Sequence, residues 1–156
     1  MEESRGAHLS GHKRYQLWRI WEPKKPILFY ILLNPSTGDH QKDDPTLRRL
    51  RYFSAKFGFG GFYVGNLYPW ITPNPKQLYR KDLSIDPLNT SHLKQMHQCC
   101  DSTVYAWGNN ETQPLYLKNF TNDPLCFGFN KNGSPKHPLY LPNSTQLVPY
   151  VSEKAI

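Results

Sequence analysis

The strongest feature of the hydropathy pattern is an uninterrupted apolar run from Ile27 to Leu33, which ends abruptly at Asn34. Seven consecutive apolar residues between Pro26 and Pro35 are too few for a buried helix and are typical of a central strand covered on both faces. Ligands of open α/β sheets bind outside the carboxyl ends of the strands. The polar loop after this run is therefore either an ordinary Asn-Pro turn or the start of a binding site.

A weaker strand pattern lies upstream of this run. Residues 1–12 show no periodicity, and we expect them to form a flexible tail outside the folded domain. Hydrophobic and polar residues alternate from Lys13 to Trp21, which predicts a strand. The proline-containing segment 22–26 is expected to turn this strand back against the central run as an antiparallel hairpin.

A helix pattern follows the Asn34 loop. Asp44 is placed to cap this helix, and Pro45 is placed at its first position. Apolar side chains then recur at helical spacing as far as Phe57, before Gly58 ends the pattern. The next apolar segment, Phe62–Leu67, predicts a strand parallel to the first, so that the three elements form a right-handed βαβ unit.

The rest of the chain continues the alternation of helix and strand. We expect a helix over Pro87–Asp101, a strand over Ser102–Trp107, a weaker helix over Glu111–Phe120 and a strand over Leu125–Phe129. The connection from Tyr68 to Leu83 and the stretch after Asn130 are predicted to be irregular. This order predicts a three-layer α/β sandwich with a mostly parallel sheet, formed by residues 13–156 as one domain.

Three of the predicted strands have an asparagine at or just after their C-terminal end: Asn34, Asn66 and Asn109. The carboxyl ends of parallel strands meet at one edge of a sheet, so we expect these three amides to converge on one crevice. The alternative is coincidence, because asparagine is common in turns.

The charge of the chain points to a polyanionic partner. Nineteen basic and twelve acidic residues give a formal charge of +7 and a pI near 9.3. Nucleic acid is the first candidate and an acidic membrane surface the second, with a solvated basic surface as the plain alternative. We expect DNA, with no membrane association and no obligate protein partner.

The cysteines do not predict a disulfide framework or a metal site. The chain has three, an odd and sparse set that favours a reducing cytoplasm, and its polar start lacks the apolar core of a signal peptide. His97, Cys99, Cys100 and Cys126 have poor spacing for a metal cluster, so core cysteines are the preferred interpretation. We expect no metal and no cofactor.

Three short motifs resemble the uracil-DNA glycosylase superfamily. They are Leu32–Ser36 after the first strand of the βαβ unit, Trp107-Gly108 at the end of a later strand, and His137–Tyr140 near the C terminus. A wider set, which adds Asp43–Arg49, also resembles a bacterial and phage family of unknown function over roughly residues 13–150. The first resemblance implies the superfamily's α/β fold and the excision of a flipped-out base from DNA.

The resemblance also implies roles for individual residues. Asn34 would hold the attacking water, His137 would face the oxygen of the leaving base, and Asn66 would read the pyrimidine edge. Independently of the resemblance, Asp39, Asp43 and Asp44 lie close in sequence to the proposed site, where a carboxylate could activate water or stabilise the sugar cation. Asp44 could do so in addition to capping its helix, whereas Asp39 and Asp43 are expected to lie in a solvated loop. Tyr140 or Leu139 could wedge into the gap that the flipped nucleotide leaves. The remaining predicted substrate contacts are Pro35, Ser36 and Asn109, and the predicted phosphate contacts are Ser36, Thr37, Arg48, Arg49 and Lys136.

The base-stacking aromatic is left open among Phe53, Tyr68 and Trp70. The function expected is that of a monofunctional DNA glycosylase acting on a modified pyrimidine of double-stranded DNA, such as hydroxymethylated or glucosylated cytosine of a phage, as an antiviral defence. The alternatives are a non-catalytic nucleic-acid-binding module and an enzyme that acts on free nucleotides.

Overall fold

A seven-stranded mixed sheet organises the part of the chain that the structure, a computed structural model, describes: residues 3–109 and 111–151. The strands lie in the order β1-β2-β4-β3-β5-β6-β7. Their bounds are β1 Ser4–Ser10, β2 Lys13–Ile20, β3 Ile27–Leu32, β4 Gly61–Asn66, β5 Ser102–Tyr105, β6 Leu125–Cys126 and β7 Val148–Pro149. The helices are α1 Pro45–Lys56, α2 Pro75–Leu78, α3 Pro87–Cys99 and α4 Leu115–Lys118.

The apolar run forms the central strand, as predicted. All six residues of β3 are buried, and β3 pairs in parallel with β4 on one side and with β5 on the other. Strand β6 extends the parallel group beyond β5. Because both neighbours of β3 are parallel and both faces are covered, a continuous hydrophobic sequence suits this position better than an alternating one.

Alternate residues of β3 face two different hydrophobic layers. Leu28 and Tyr30 pack with the apolar side of α1, including Leu50. Phe29 and Ile31 pack in the layer to which α3 contributes. Helices therefore cover both faces of the sheet, and α1 begins at Asp44 and Pro45 as the sequence predicts. The α/β class is confirmed, but the predicted mostly parallel sheet is wrong: of the six strand pairings in the described residues, three are parallel and three are antiparallel.

The predicted antiparallel hairpin between the strand that begins at Lys13, now β2, and the central run, now β3, is wrong. Strand β2 pairs antiparallel with β4, not with β3, because both edges of β3 are already taken by β4 and β5. The carbonyl of Gly60 accepts from Trp21 and Glu22 at the end of β2, and the Gly60 amide donates to Pro26. A Cβ at Gly60 would lie 1.9 Å from the carbonyl oxygen of Glu22, so this junction needs glycine.

The predicted N-terminal tail is also wrong where it overlaps the described residues. Ser4–Ser10 forms β1 and pairs antiparallel with β2 at the edge of the sheet. Its backbone at Gly6 lies against the ring of Trp18, where a Cβ would come within 2.1 Å of the ring. Most of β1 is exposed, which explains why its sequence shows no alternation.

The later elements are present but shorter than predicted. The helix predicted over Glu111–Phe120 reduces to the single turn α4, and the strands β5 and β6 end before their predicted last residues. The connection from Tyr68 to Leu83 contains the single turn α2. The C-terminal stretch is mostly irregular but adds β7 next to β6. Within the described ranges, no helix has the length and apolar character needed to cross a membrane.

Candidate functional site

The four parallel strands place a crevice beside β3. The parallel strands lie side by side in the order β4-β3-β5-β6. After β3 the chain therefore goes first to β4 on one side of it and later to β5 on the other side. Ligands bind outside the carboxyl ends of strands at such a switch point. A cavity of about 330 Å³ lies there, and its lining comes from the start of β2, the segment after β3, the start of α1 and two loops: Arg14, Leu32, Asn34, Ser36, Thr37, Asp44, Pro45, Thr46, Leu47, Thr72, Pro73, His137 and Leu139.

The amide of Asn34 is held in one orientation. Its Nδ2 donates to the carbonyl oxygens of Pro35 at 3.0 Å, of Thr72 at 3.0 Å and of Trp70 at 3.4 Å. Three acceptors around the nitrogen fix which end of the amide is which. Among the described residues nothing donates to Asn34 Oδ1, so this wall of the cavity carries a fixed hydrogen-bond acceptor.

His137 provides a fixed donor on the same cavity. Its Nδ1 accepts from the backbone amide of Leu139 at 3.1 Å, so in the neutral ring the proton is on Nε2. Burial lowers the pKa of His137 below its ordinary value of 6.5, and the nearby carboxylate of Asp44 opposes this shift. The loop packs on the end of β5, where Gly108 donates to the carbonyl of Pro135 at 3.1 Å. His137 is therefore a neutral Nε2–H donor at physiological pH.

Asp44 combines a structural bond with a place on the cavity wall. Its Oδ1 accepts from the Leu47 amide at 2.8 Å, which caps α1, and its Oδ2 accepts from the Gly38 amide at 3.3 Å. Of the three neighbouring aspartates, Asp39 closes a loop by accepting from the amides of residues 41 and 42, and Asp43 pairs with arginines. Asp44 is thus the carboxylate that lines the cavity.

Arg14 is a cavity residue that the sequence analysis missed. It is only 2% exposed, and its Nη1 donates to the Gly38 carbonyl at 2.8 Å. Within the described part of the chain it forms no ion pair, and its buried Nε has no partner. Burial lowers the pKa of Arg14 to about 10, against the effect of Asp44, so the guanidinium stays charged at neutral pH.

A β-bulge directs Arg14 into the cavity. His8 pairs with Gln16 and Leu9 pairs with Arg14, so Tyr15 is an extra residue without a partner on β1. The bulge resets the alternation of β2, and Tyr15 stacks on His92 of α3 while Arg14 faces the cavity. A single inserted residue leaves no mark in a hydropathy pattern, which is why the sequence analysis did not identify Arg14 as a site residue.

The three strand-end amides do not converge. Asn34 lines the cavity, whereas Asn66 is 1% exposed and does not. Asn66 is in register with the cavity residue Leu32, so its side chain projects from the same face of the sheet below the cavity. Asn109 is exposed, and its carbonyl accepts from Asn132. Gly108, which precedes Asn109 after β5, has a φ of +89°.

Several other predicted contacts surround the cavity. Ser36, Thr37 and Leu139 line it, while the buried Pro35 uses its carbonyl to fix Asn34 and Thr72. Tyr140, next to Leu139, is 91% exposed and has a φ of +70°, so its ring projects into solvent at the mouth.

The predicted phosphate contacts beyond this loop are not equivalent. Arg49 donates to the carbonyl of Leu141 at 2.6 Å and to Asn143 Oδ1 at 2.8 Å, which ties α1 to the loop after Tyr140. Arg48 is exposed, and Lys136 is half-buried outside the cavity lining. Arg49 therefore positions a loop, whereas the Arg48 side chain donates to the carbonyl of Asp43 at 3.0 Å, at the start of α1.

The proposed base-stacking aromatics lie elsewhere. Phe53 is fully buried in the core, and Tyr68 lines a second cavity of about 300 Å³ with Tyr116. Trp70 donates from its indole to the carbonyl of Asp82. Among the described residues no Phe, Tyr or Trp lines the Asn34 cavity, whose apolar walls are aliphatic. All three aromatic candidates are therefore wrong as cavity residues.

The cysteines divide between core and surface. Cys126 is buried, Cys100 is half-buried and Cys99 is exposed, so the core interpretation holds for Cys126 and fails for Cys99. Within residues 3–109 and 111–151, no group of three or more His, Cys, Asp or Glu side chains could hold a metal ion.

The lowered pKa of His137 predicts a stability loss in acid. Between the folded pKa and 6.5 the unfolded chain binds more protons than the folded chain at this residue, so the free energy of unfolding falls as the pH falls through that window. A His137→Gln variant should lose less stability than the wild type between pH 7 and pH 5 in urea titrations. Parallel curves for the two proteins would contradict a buried neutral His137.

A comparison with protein families gives one match. Residues 14–139 match the model of the family described as protein of unknown function (DUF1643), and the match begins and ends on residues that line the cavity, Arg14 and Leu139. No curated protein matches the chain. No solved structure matches it either. Since the match spans most of the sequence, the chain belongs to the DUF1643 family.

Proposed function

We propose that this protein is a monofunctional DNA glycosylase that removes a flipped-out modified pyrimidine and leaves an abasic site. The observation that carries the proposal is the pairing of a fixed acceptor, Asn34 Oδ1, with a fixed donor, His137 Nε2, on one cavity. Hydroxymethylated or glucosylated cytosine of phage DNA is the substrate we favour. Its excision in the cytoplasm would damage an infecting genome, as an antiviral defence.

The chemistry of glycosidic hydrolysis fits this pairing. The reaction generates positive charge on the sugar and negative charge on the base, so a catalyst needs a positioned water and donors aimed at the leaving group. Asn34 Oδ1 would accept a hydrogen bond from the water, and neutral His137 would donate to the base oxygen. The Asp44 carboxylate would stabilise the sugar cation. No lysine lines the cavity within the described ranges, which supports a monofunctional reaction.

Access to the cavity requires a nucleotide outside the helix. A side chain that fills the gap left in the duplex offsets part of the unstacking cost. Tyr140 suits this role because its ring is exposed at the mouth of the cavity and adjoins the lining residue Leu139. The net charge of +7 supports binding to the DNA backbone.

Replacing Tyr140 with alanine should slow excision from paired DNA more than from single strands. We expect a loss of roughly tenfold or more on a duplex and little change on a single strand, because only the duplex demands unstacking. Single-turnover rates on matched oligonucleotides give the ratio. Tyr79→Ala is the control, since Tyr79 is also an exposed tyrosine, at 47%, but lies outside the cavity lining. An equal loss on both substrates would remove the wedge role.

The proposed activity is tested with a panel of oligonucleotides. Duplexes that carry uracil, 5-hydroxymethylcytosine or its glucosylated form are incubated with the purified protein and then treated with alkali. Strand breaks at the modified position, with DNA binding that weakens steeply as salt rises, are the expected result. Binding without breaks would favour a non-catalytic module. Activity on mononucleotides with weak salt dependence would favour a free-nucleotide enzyme.

A further inference from the structure

Arg14 places a buried positive charge on the wall of the cavity, and part of its guanidinium group has no hydrogen-bond partner among the described residues. A buried arginine normally pairs with a carboxylate, because removing a charge from water is unfavourable unless partners replace the solvent. The Arg14 side chain makes one hydrogen bond, to the Gly38 carbonyl, and no ion pair within the described ranges. Asp44, the nearest favourable charge on this cavity, is occupied by two backbone amides.

A second group beneath the cavity has unused hydrogen-bonding capacity. Both Oδ1 and Nδ2 of Asn66 are buried without a partner in the described part of the chain, as is Nε of Arg14. Asn66 lies beside Leu32 on the cavity face of the sheet. Buried polar groups without partners are rare in native structures, so Arg14 Nε and the Asn66 amide on this face, like Asn89 Oδ1 on α3, lack a partner that the fold would normally supply.

We propose that Arg14 contacts the leaving base and stabilises its negative charge, which makes it a catalytic residue in addition to Asn34 and His137. This inference rests on the proposed function. In the step concerned, the C1′–N bond breaks and its electron pair stays on the base nitrogen. The oxygen of the water bonds to C1′, and the proton that the water loses ends on the released base.

The charges on the cavity match those of this step. The reaction separates a sugar cation from a base anion, and the cavity carries the Asp44 carboxylate and the Arg14 guanidinium without an ion pair between them. A direct ion pair would cancel the two charges before the substrate arrives. Fixed charges that are already oriented stabilise a transition state without reorganisation.

A purely structural role for Arg14 makes a different prediction. If Arg14 served only to hold Gly38 through its 2.8 Å bond, every substrate would suffer equally from its loss. If Arg14 stabilises the leaving base, the loss of rate depends on the acidity of that base. A less acidic base is a poorer leaving group, so stabilising the negative charge that develops on it lowers the activation barrier more.

The first experiment compares Arg14→Gln and Arg14→Lys on a series of pyrimidine substrates with different leaving-base acidities. The glutamine variant should lower the single-turnover rate by about 10²-fold, most for the least acidic base and with little change in KM. The lysine variant should keep more of the rate than the glutamine variant. Loss of equal size across the series would overturn the proposal, provided that thermal melting shows both variants folded.

The second experiment needs no glycosylase activity. The free base 5-nitrouracil, which ionises in mildly acidic solution, is titrated with protein and its ionisation followed by absorbance, with thymine as the neutral comparison. The wild type should bind the anion and lower its apparent pKa, and Arg14→Gln should lose this effect. The control Arg80→Gln makes the same change at an exposed arginine outside the cavity lining and should keep it. Equal binding of thymine and 5-nitrouracil, or stronger binding of inorganic phosphate at the same site, would overturn the proposal.

The two experiments separate two kinds of failure. If no DNA substrate is cleaved but 5-nitrouracil binds through Arg14, the proposed function fails and the anion site stands. If excision proceeds and the variants show neither signature, the function stands and the role of Arg14 falls.

Discussion

Replacing Asn34 with alanine is expected to lower the single-turnover rate of base excision by about 10²–10³-fold, the loss found when a positioned polar group is removed from an active site. The variant lacks the acceptor Oδ1 that would hold the attacking water. DNA binding should stay within about threefold of the wild type, because backbone contacts supply most of the affinity. Rapid-quench rates and a salt-matched binding titration measure the two quantities.

The control for this variant is Asn109→Ala, which makes the same chemical change on the exposed surface. It should excise at the wild-type rate. Asn34 also bonds the carbonyls of Pro35 and Thr72, so the melting temperature of the Asn34 variant must be compared with that of the wild type. A folded Asn34→Ala protein with full activity would remove the residue from the mechanism.

Replacing Leu50 with alanine is expected to lower the free energy of unfolding by about 2–5 kcal/mol. Leu50 is fully buried between α1 and the central strand, where it packs with Leu28 and Tyr30. Truncation removes buried apolar area and leaves a cavity that the surrounding strands cannot close. For a domain of this size, such a loss is a large part of the total stability.

The matched control is Leu115→Ala, because Leu115 is 76% exposed and undergoes the same change of side chain. Its effect should stay within about 0.5 kcal/mol. Urea unfolding of both variants and the wild type gives the comparison. A Leu50 variant as stable as the Leu115 variant would contradict the packing of α1 on the sheet.

Local signals in the sequence were sufficient to predict the βαβ unit formed by β3, α1 and β4. The apolar run of β3, the Asp44-Pro45 start of α1 and the glycine after it each reflect the chemistry of a few neighbouring residues. Strand pairing is different, because it depends on residues far apart in the chain. The sequence shows that Lys13–Ile20 is a strand, but not that β4 comes between it and β3.

The sequence also predicted only part of the candidate site, namely the residues that belong to short local motifs. Asn34 and His137 follow from short motifs at strand ends and loops, and the structure brings both to one cavity. Asn109 was misplaced because the chain turns at Gly108, and Arg49 because the loop it binds is distant in sequence. Arg14 required knowledge of a bulge at Tyr15, which depends on the register with β1.

The most direct test of the account measures the two products of the reaction together. Phage DNA with hydroxymethylated and glucosylated cytosine is incubated with wild-type protein or with Asn34→Ala, and released base is quantified by mass spectrometry beside the abasic sites left in the DNA. We predict equal amounts of free modified base and abasic sites with the wild type, and little of either with the variant. Intact DNA after incubation with folded wild-type protein, or release that does not depend on Asn34, would contradict the account.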